Sequence, residues 1–316
     1  PQVFRVAGIG EIEREVFGPV LHVASFEAEE LDKVVAAING RGYGLTFGLH
    51  TRIEERVQRI VDGIHAGNVY VNRNQIGAVV GSQPFGGEGL SGTGPKAGGP
   101  HYLRRFRRAE PATAGKPEGS VVASRTLAEH MPDASRGNWA SRPDRIAMLR
   151  KHLRGKAADA MAAVAALDFG PVDLPGPTGE ANTLALFPRG RVLCLGPDAE
   201  TLMWQAVQAL GAGNAVLAVA PGAETALKIL TGKGLPLAVL DGQVEAAALT
   251  RLDIDLAAFA GEAETVRGYR AALAAREGPI VPLVSEVDHP AAYVHERAVC
   301  VDTTAAGGNA SLLAAS

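Results

Sequence analysis

The chain has 316 residues, of which 47% are hydrophobic and 21% are charged, and its formal net charge is −3. This length allows about two domains with buried cores, and the composition excludes an intrinsically disordered chain. The small negative charge excludes a general electrostatic attraction to nucleic acid. No apolar run approaches the ~20 residues that a helix needs to cross a bilayer.

The cysteines and histidines predict neither a disulfide framework nor a metal site. Cys194 and Cys300 lie far apart and form no CxxC pair, which indicates a reducing compartment. The eight histidines lack the spacing of metal ligands. The arginines between residues 104 and 108 are typical of a solvated face. The chain begins PQVFRVAGIG, without Met or a signal peptide, so we expect it to be cut from a longer polypeptide.

The first part of the chain is predicted to alternate strands and helices. Thr51 and Glu54 predict a capping box that opens one of the helices. Polar and apolar residues alternate over 68–72, which is typical of a half-buried strand. This order of elements indicates an α/β fold.

A glycine-rich stretch over 75–102 is predicted to be an ordered loop, because its prolines restrict the backbone. Two segments in it imitate phosphate-binding loops, GLSGTGPK and GTGPKA. In the first, Pro95 removes an amide that a phosphate would need. The second follows no strand and opens no helix, so we reject both.

A second α/β run follows a change in composition. We predict a linker over 109–145, rich in proline, glycine, alanine and charge. Over 146–290 helices alternate with continuous apolar strands, which predicts a parallel sheet covered on both faces and a Rossmann-like domain. Residues 291–316 are predicted to form a strand and a small, polar tail.

The first strand–helix turn of this second run argues against a bound dinucleotide. A pyrophosphate binds to bare amides at the positive end of a helix dipole. Asp198 and Glu200 would lie at that end, where their charges satisfy the dipole and repel phosphate. We therefore predict that this domain holds no cofactor and that Cys194 is a core residue and not a nucleophile.

Two motifs in the first part of the chain point to a family. Glu15 opens the segment EVFGPV, and an acidic residue before such a turn is ordinarily solvated. About 65 residues later comes PFGGEGLSGTG. Together the motifs resemble the aldehyde dehydrogenase superfamily, where E-x-F-G-P and P-F-G-G occur at this separation.

Longer segments narrow the resemblance. NVYVNRNQIGAVVGSQPFGGEGLSGTGPKAGGPHYLRRF is similar to the glutamate-semialdehyde (pyrroline-5-carboxylate) dehydrogenases. DLPGPTGEAN, RGRVLCLGP and TTAAGGNASLL are similar to the C-terminal region of bacterial bifunctional proline-utilisation proteins, the PutA family. The resemblance implies that residues 1–108 are the C-terminal part of an aldehyde dehydrogenase catalytic domain. It also implies that 146–290 form a non-catalytic, aldehyde-dehydrogenase-like domain.

The family's reaction is the NAD-dependent oxidation of L-glutamate γ-semialdehyde to glutamate through a cysteine thioester. The resemblance implies that Glu15 holds the nicotinamide ribose and that Phe17 packs near the nicotinamide ring. It implies that the amides of Gly77 and Ala78 bind the α-carboxylate of the substrate. Phe85 would pack against the aliphatic chain of the substrate, and the alternative is that its ring only packs in the core. The nucleophile and the glutamate base would lie upstream, so we assign no catalytic residue here and expect the segment alone to be inactive.

The resemblance also implies partners. Upstream proline dehydrogenase and NAD-binding domains would belong to the same polypeptide, with FAD only in the former, and the protein would be bacterial and cytoplasmic. The tail from Thr303 to Leu313 resembles a family motif near the substrate cavity, and a disordered terminus is the alternative. Homo-oligomerisation and peripheral membrane association stay open. So do two other functions: a dehydrogenase for another aldehyde, and a scaffold that seals a substrate channel or mediates assembly.

Overall fold

The strands pair into four sheets within residues 1–107 and 115–304, the part of the chain that the computed structural model describes. In chain order the strands are β1 (Gln2–Arg5), β2 (Val20–Val23), β3 (Tyr43–Gly44), β4 (Thr46–Leu49), β5 (Asn68–Val71), β6 (Glu88–Gly89), β7 (Val172–Leu174), β8 (Glu180–Pro188), β9 (Arg191–Cys194), β10 (Ala215–Ala220), β11 (Leu237–Asp241), β12 (Leu256–Ala258), β13 (Leu283–Val284) and β14 (Val294–Asp302). The α-helices are α1 (Leu31–Asn39), α2 (Glu54–Gly63), α3 (Ser124–His130), α4 (Arg145–Arg150), α5 (Lys156–Ala165), α6 (Ala199–Gly211), α7 (Ala223–Leu227) and α8 (Ala263–Ala274). Short 3₁₀ helices cover Ile9–Glu11, Ala28–Glu30, Tyr102–Phe106, Arg136–Ser141, Ala246–Thr250 and Pro290–Tyr293.

The second part of the chain, here residues 146–304, contains a parallel sheet of five strands in the order β11-β10-β9-β12-β13. Counted along the chain this order is 3-2-1-4-5, as in doubly wound nucleotide-binding folds. Alternate residues of β9 enter two separate cores. Cys194 packs in the core that includes Leu202 of α6, and Leu193 packs in the core that includes Tyr269 of α8. Helices therefore cover both faces, which confirms the predicted α/β fold and the core position of Cys194.

A mixed sheet joins the first part of the chain, residues 1–107, to the second part. Its order is β4-β5-β14-β8-β7. The last strand, β14, lies parallel to β5 from the first part and antiparallel to β8 from the second, with Val294–Asp302 paired against Glu180–Pro188. The two parts therefore share one hydrogen-bonded sheet.

A strand forms where it is predicted, as β5, but the prediction that it is half-buried is wrong. All four residues of β5 are buried, and Val69 is 0% exposed. The strand is central in its sheet because β4 and β14 pair with its two edges. A central strand covered on both faces holds polar side chains only where they make hydrogen bonds. The side-chain amide of Asn68 does so by donating to Pro84 O at 2.9 Å.

The predicted capping box at the start of α2 is also wrong. The N-cap residue is Ile53, which has an extended backbone and makes no side-chain capping bond. The Thr51 hydroxyl instead accepts a hydrogen bond from the Ile53 amide at 3.2 Å. Thr51 thus shapes the turn that leads into the helix, because its side chain reaches an amide two residues on.

Much of the segment 109–145, predicted as a linker, packs against the second part of the chain. Leu127 of α3 is 0% exposed, and the Trp139 indole N–H donates to Leu210 O at 2.9 Å. The domain boundaries stay a prediction. Residues 108–114, which include Arg108, and the tail from 305 onward lie outside the described residues.

Buried polar groups fasten the glycine-rich loop to the mixed sheet. The ammonium of Lys96 donates to Asn68 Oδ1 at 2.9 Å and to Gly86 O, and Lys96 is 2% exposed. Glu296 of β14 accepts from the Lys96 amide at 2.6 Å and from His101 Nδ1 at 2.8 Å. Burial lowers the pKa of Lys96 to about 8, although Glu296 opposes this.

We predict that Leu127→Ala lowers the free energy of unfolding by about 3 kcal/mol, because it deletes a fully buried side chain. Urea denaturation followed by circular dichroism measures the change. Leu103→Ala is the control, since that side chain is 76% exposed and its loss should cost less than about 0.5 kcal/mol. Equal midpoints for the two variants would show that α3 is not part of the core.

A second prediction concerns the pH dependence of stability. The pKa of Lys96 is about 8 in the folded chain and 10.5 when solvated, so between these pH values the unfolded state binds more protons. The contribution of Lys96 to the free energy of unfolding therefore rises with pH across this window. Relative to Lys96→Met, the wild type should gain up to about 3 kcal/mol between pH 8 and 10.5.

Urea denaturation at the two pH values measures this gain. Lys116→Met is the matched control, because the Lys116 side chain is 63% exposed and the variant removes an ammonium that lies in solvent. A wild-type curve parallel to that of Lys96→Met would contradict the prediction.

Candidate functional site

The glycine-rich stretch lines a cavity of about 420 Å³ that is open to solvent on one side. Three residues predicted to bind substrate, Gly77, Ala78 and Phe85, lie together on its wall. The other residues on the wall are Val80, Gly81, Gln83, Ala97 and Gly98. The structure therefore brings the predicted substrate residues into one site.

Two consecutive backbone amides at this cavity have no partner among the residues that the structure describes. Residues 74–83, here called the anchor loop, turn sharply at Gly77, whose φ of +75° suits glycine. The amide of Ile76 donates to Asn74 Oδ1 at 3.2 Å, and that of Val79 donates to Gln83 Oε1 at 3.2 Å. Within residues 1–107 and 115–304, the amides of Gly77 and Ala78 have no acceptor. Neighbouring free amides in such a turn can bind an anion.

Phe85 is held on the cavity wall by its backbone. Its amide donates to Ala97 O at 3.0 Å, and the amide of Ala97 donates to Phe85 O at 2.9 Å. On the next residue, the Gly86 amide donates to Asn68 Oδ1 at 3.1 Å. The half-buried ring thus gives the cavity a fixed apolar side.

Glu15 and Phe17 lie apart from this cavity and do not line it. Both are exposed, and the ring of Phe17 is 87% exposed. Among the described residues the Glu15 carboxylate has no hydrogen-bond partner. Gly18, with a φ of +119°, makes the tight turn that follows. Their role in cofactor binding stays a prediction.

Neither cysteine has the surroundings of a nucleophile. Cys194 lies in the core of the parallel sheet, and burial raises the pKa of its thiol far above the ordinary value. Cys300 is 2% exposed, and burial raises its thiol pKa although Arg73 opposes the shift. A thiolate is disfavoured at both positions.

The turn at which a doubly wound fold would bind a nucleotide makes several hydrogen bonds within the chain. Asp198 caps α6 by accepting from the Thr201 amide at 2.8 Å. The buried side chain of Gln205 bonds to both backbone groups of Gly196 at 3.0 Å, and the Ala260 amide donates to Gly196 O at 3.0 Å. Both backbone groups of Gly196 and the Thr201 amide are therefore engaged within the chain. That this domain holds no cofactor stays a prediction.

Sequence reasoning missed a polar cluster beneath the anchor loop. Its members come from both parts of the chain: Arg73, Gln83, Glu180, Asn182 and Cys300. Four of the five lie inside the family-like segments NVYVNRNQIGAVVGSQP and DLPGPTGEAN, but they follow no helical or strand period, so the sequence does not show that they meet. Across the described ranges, no three His, Cys, Asp or Glu side chains are grouped so that they could hold a metal ion. None of the described helices has the length and the apolar character of a membrane span.

Comparisons with known proteins agree with the sequence motifs. Residues 11–110 match the model of the aldehyde dehydrogenase family. The chain is 39% identical over 335 aligned residues to the bifunctional protein PutA of Escherichia coli strain K12, covering 99% of this chain and 24% of that protein. It is 46% identical over 92 residues to the 1-pyrroline-5-carboxylate dehydrogenase of Bacillus subtilis strain 168, which covers 29% of this chain and 18% of that protein.

A solved structure shares the fold. Proline utilization A from Corynebacterium freiburgense superposes with a TM-score of 0.57 and 22% identity, over 95% of this chain and 27% of that one. The chain thus spans about a quarter of the length of the PutA proteins it matches. Nearly the whole chain is thus similar to one part of the PutA proteins, and its residues 11–110 match the aldehyde dehydrogenase family.

Proposed function

We propose that this chain is part of an NAD-dependent dehydrogenase that oxidises L-glutamate γ-semialdehyde, in equilibrium with 1-pyrroline-5-carboxylate, to glutamate in proline catabolism. The observation that carries the proposal is the pair of free amides at Gly77 and Ala78 beside an apolar wall. The names of the PutA and 1-pyrroline-5-carboxylate dehydrogenase relatives support it. The activity belongs to the complete polypeptide.

The cavity suits a substrate with a carboxylate at one end and an aliphatic chain. The α-carboxylate accepts hydrogen bonds from the amides of Gly77 and Ala78, which need no side chain and no counter-ion. Phe85 packs on the methylene groups and excludes water from that side. With the carboxylate fixed, the aldehyde carbon lies at a set distance from the anchor loop, where an upstream nucleophile reaches it.

Glu15 and Phe17 fit a role in cofactor binding. The free, exposed carboxylate of Glu15 can accept hydrogen bonds from two neighbouring ribose hydroxyls at once. The exposed ring of Phe17 gives an apolar surface for the nicotinamide. NAD supplies the hydride acceptor for the oxidation when it is bound.

The remaining catalytic groups belong to other parts of the same polypeptide. The buried thiols of Cys194 and Cys300 are unsuited to attack, so we place the nucleophile and the glutamate base upstream. Apolar side chains of the N-terminal region are exposed in this chain, including Val3, Phe17 and Leu21. We propose that the upstream NAD-binding domain covers them. A cytoplasmic location and the upstream proline dehydrogenase are part of the same proposal.

The first test of this proposal concerns Glu15. In the complete polypeptide, Glu15→Ala should lower kcat/KM for NAD⁺ by at least about tenfold, because charge-assisted hydrogen bonds are lost. NADH absorbance measures the rate, and the exposed neighbour Glu13→Ala serves as the control. Unchanged turnover in Glu15→Ala with the fold intact would favour the scaffold function instead.

The second test concerns the anchor amides. Gly77→Ala forces an L side chain into a φ of +75°, so the peptide between residues 77 and 78 must shift. We expect the KM for glutamate semialdehyde to rise about tenfold while that for a simple aldehyde without a carboxylate stays the same. Equal changes for both aldehydes would argue for a dehydrogenase of another substrate.

A further inference from the structure

The anchor loop is fastened at both ends to the second part of the chain. Arg73 immediately precedes the loop, and Gln83 is its last residue. Both contact Glu180 at the start of β8 and Cys300 near the end of β14. The tip between them is exposed, with Ile76 83% and Val80 93% exposed. Its ends therefore hold the loop in place within the described structure.

Gln83 connects the loop to this base through both ends of its side-chain amide. Its Oε1 accepts from the Val79 amide at 3.2 Å. Its Nε2 lies 3.3 Å from Glu180 Oε2, 3.4 Å from Asn182 Oδ1 and 3.3 Å from Cys300 Sγ. A flipped amide would turn an oxygen towards two other oxygens and an N–H towards the Val79 N–H, so the network allows one orientation.

Arg73 fixes the other end with a charge. Its Nη1 donates to Glu180 Oε1 at 2.5 Å and lies 2.9 Å from Cys300 Sγ. The two side chains of the ion pair are 16% and 20% exposed, so water screens the pair only in part. One carboxylate, that of Glu180, therefore serves both ends of the loop.

We infer that Gln83 and Arg73, joined through Glu180, are positioning residues for the substrate carboxylate. The inference rests on the proposed function. The bond from Val79 to Gln83 holds the peptide next to Ala78, so it sets where the two free amides point. Because Glu180, Asn182 and Cys300 come from β8 and β14, the second part of the chain controls the affinity for the acidic aldehyde while contributing no group that touches it.

The test compares kinetic constants in the complete polypeptide. Gln83→Met keeps the length of the side chain and removes its hydrogen bonds. The KM for glutamate semialdehyde should rise about tenfold with kcat within about twofold, and the KM for NAD⁺ should not change. A simple aldehyde without a carboxylate should be oxidised as by the wild type. Glu180→Gln removes the charge opposite Arg73 and should also raise the KM for glutamate semialdehyde.

Glu286→Gln is the matched control. The ion pair of Arg104 with Glu286 also joins the two parts of the chain, and its side chains are 27% and 21% exposed, but it does not touch the anchor loop. Its loss should leave the KM for glutamate semialdehyde unchanged. An equal rise in all three variants would overturn the inference, because it would mark a general effect of loosening the contact between the parts. An unchanged KM for glutamate semialdehyde in Gln83→Met would also overturn the inference.

A second measurement does not depend on activity. In this chain, hydrogen exchange at the Val79 amide should become about fivefold faster in Gln83→Met, since its acceptor is lost, and should be unaffected by Glu286→Gln. Unchanged exchange would overturn the positioning role. If the wild-type polypeptide does not oxidise glutamate semialdehyde, the proposed function fails, and the exchange rates still decide whether Gln83 fixes the loop.

Discussion

The position of β14 between β5 and β8 is the constraint on which the rest of this structure depends. Without it β5 would be an edge strand with a row of unpaired backbone groups beside a buried apolar face. With it the first and second parts of the chain share a continuous ladder of hydrogen bonds. The parts cannot separate without breaking that ladder, so the anchor loop and the residues beneath it keep one relative position.

Buried charges on β14 set its register. Neighbouring residues on a strand point to opposite faces of the sheet. Glu296 accepts from the Lys96 amide, and Arg297 donates to Val61 O at 2.8 Å and pairs with Glu88. A slip of one residue would place a guanidinium against the Lys96 amide N–H and a carboxylate against the Val61 carbonyl oxygen. These groups therefore specify the pairing more than they stabilise the fold.

The sequence predicts the parts of this fold that depend on local pattern. The order of strands and helices and the capped turn at Asp198 follow from apolar runs and from the charges beside a helix end. The complete burial of β5 does not, because its partner β14 lies more than two hundred residues away. For the same reason the motif DLPGPTGEAN, which contains Glu180, does not show that this side chain meets Gln83, 97 residues away in sequence.

The second part of the chain has the strand order of a nucleotide-binding fold, and its first strand–helix turn is held by side chains of the same part. The backbone groups of Gly196 that would face a phosphate bond to Gln205, and the helix end that would attract one is capped by Asp198. These internal hydrogen bonds fix the turn beside β9. The same part of the chain pairs with β5 through β14, on the side of β14 opposite β8. Because β14 also carries Cys300, which contacts Arg73 and Gln83, this pairing gives both ends of the anchor loop a rigid support.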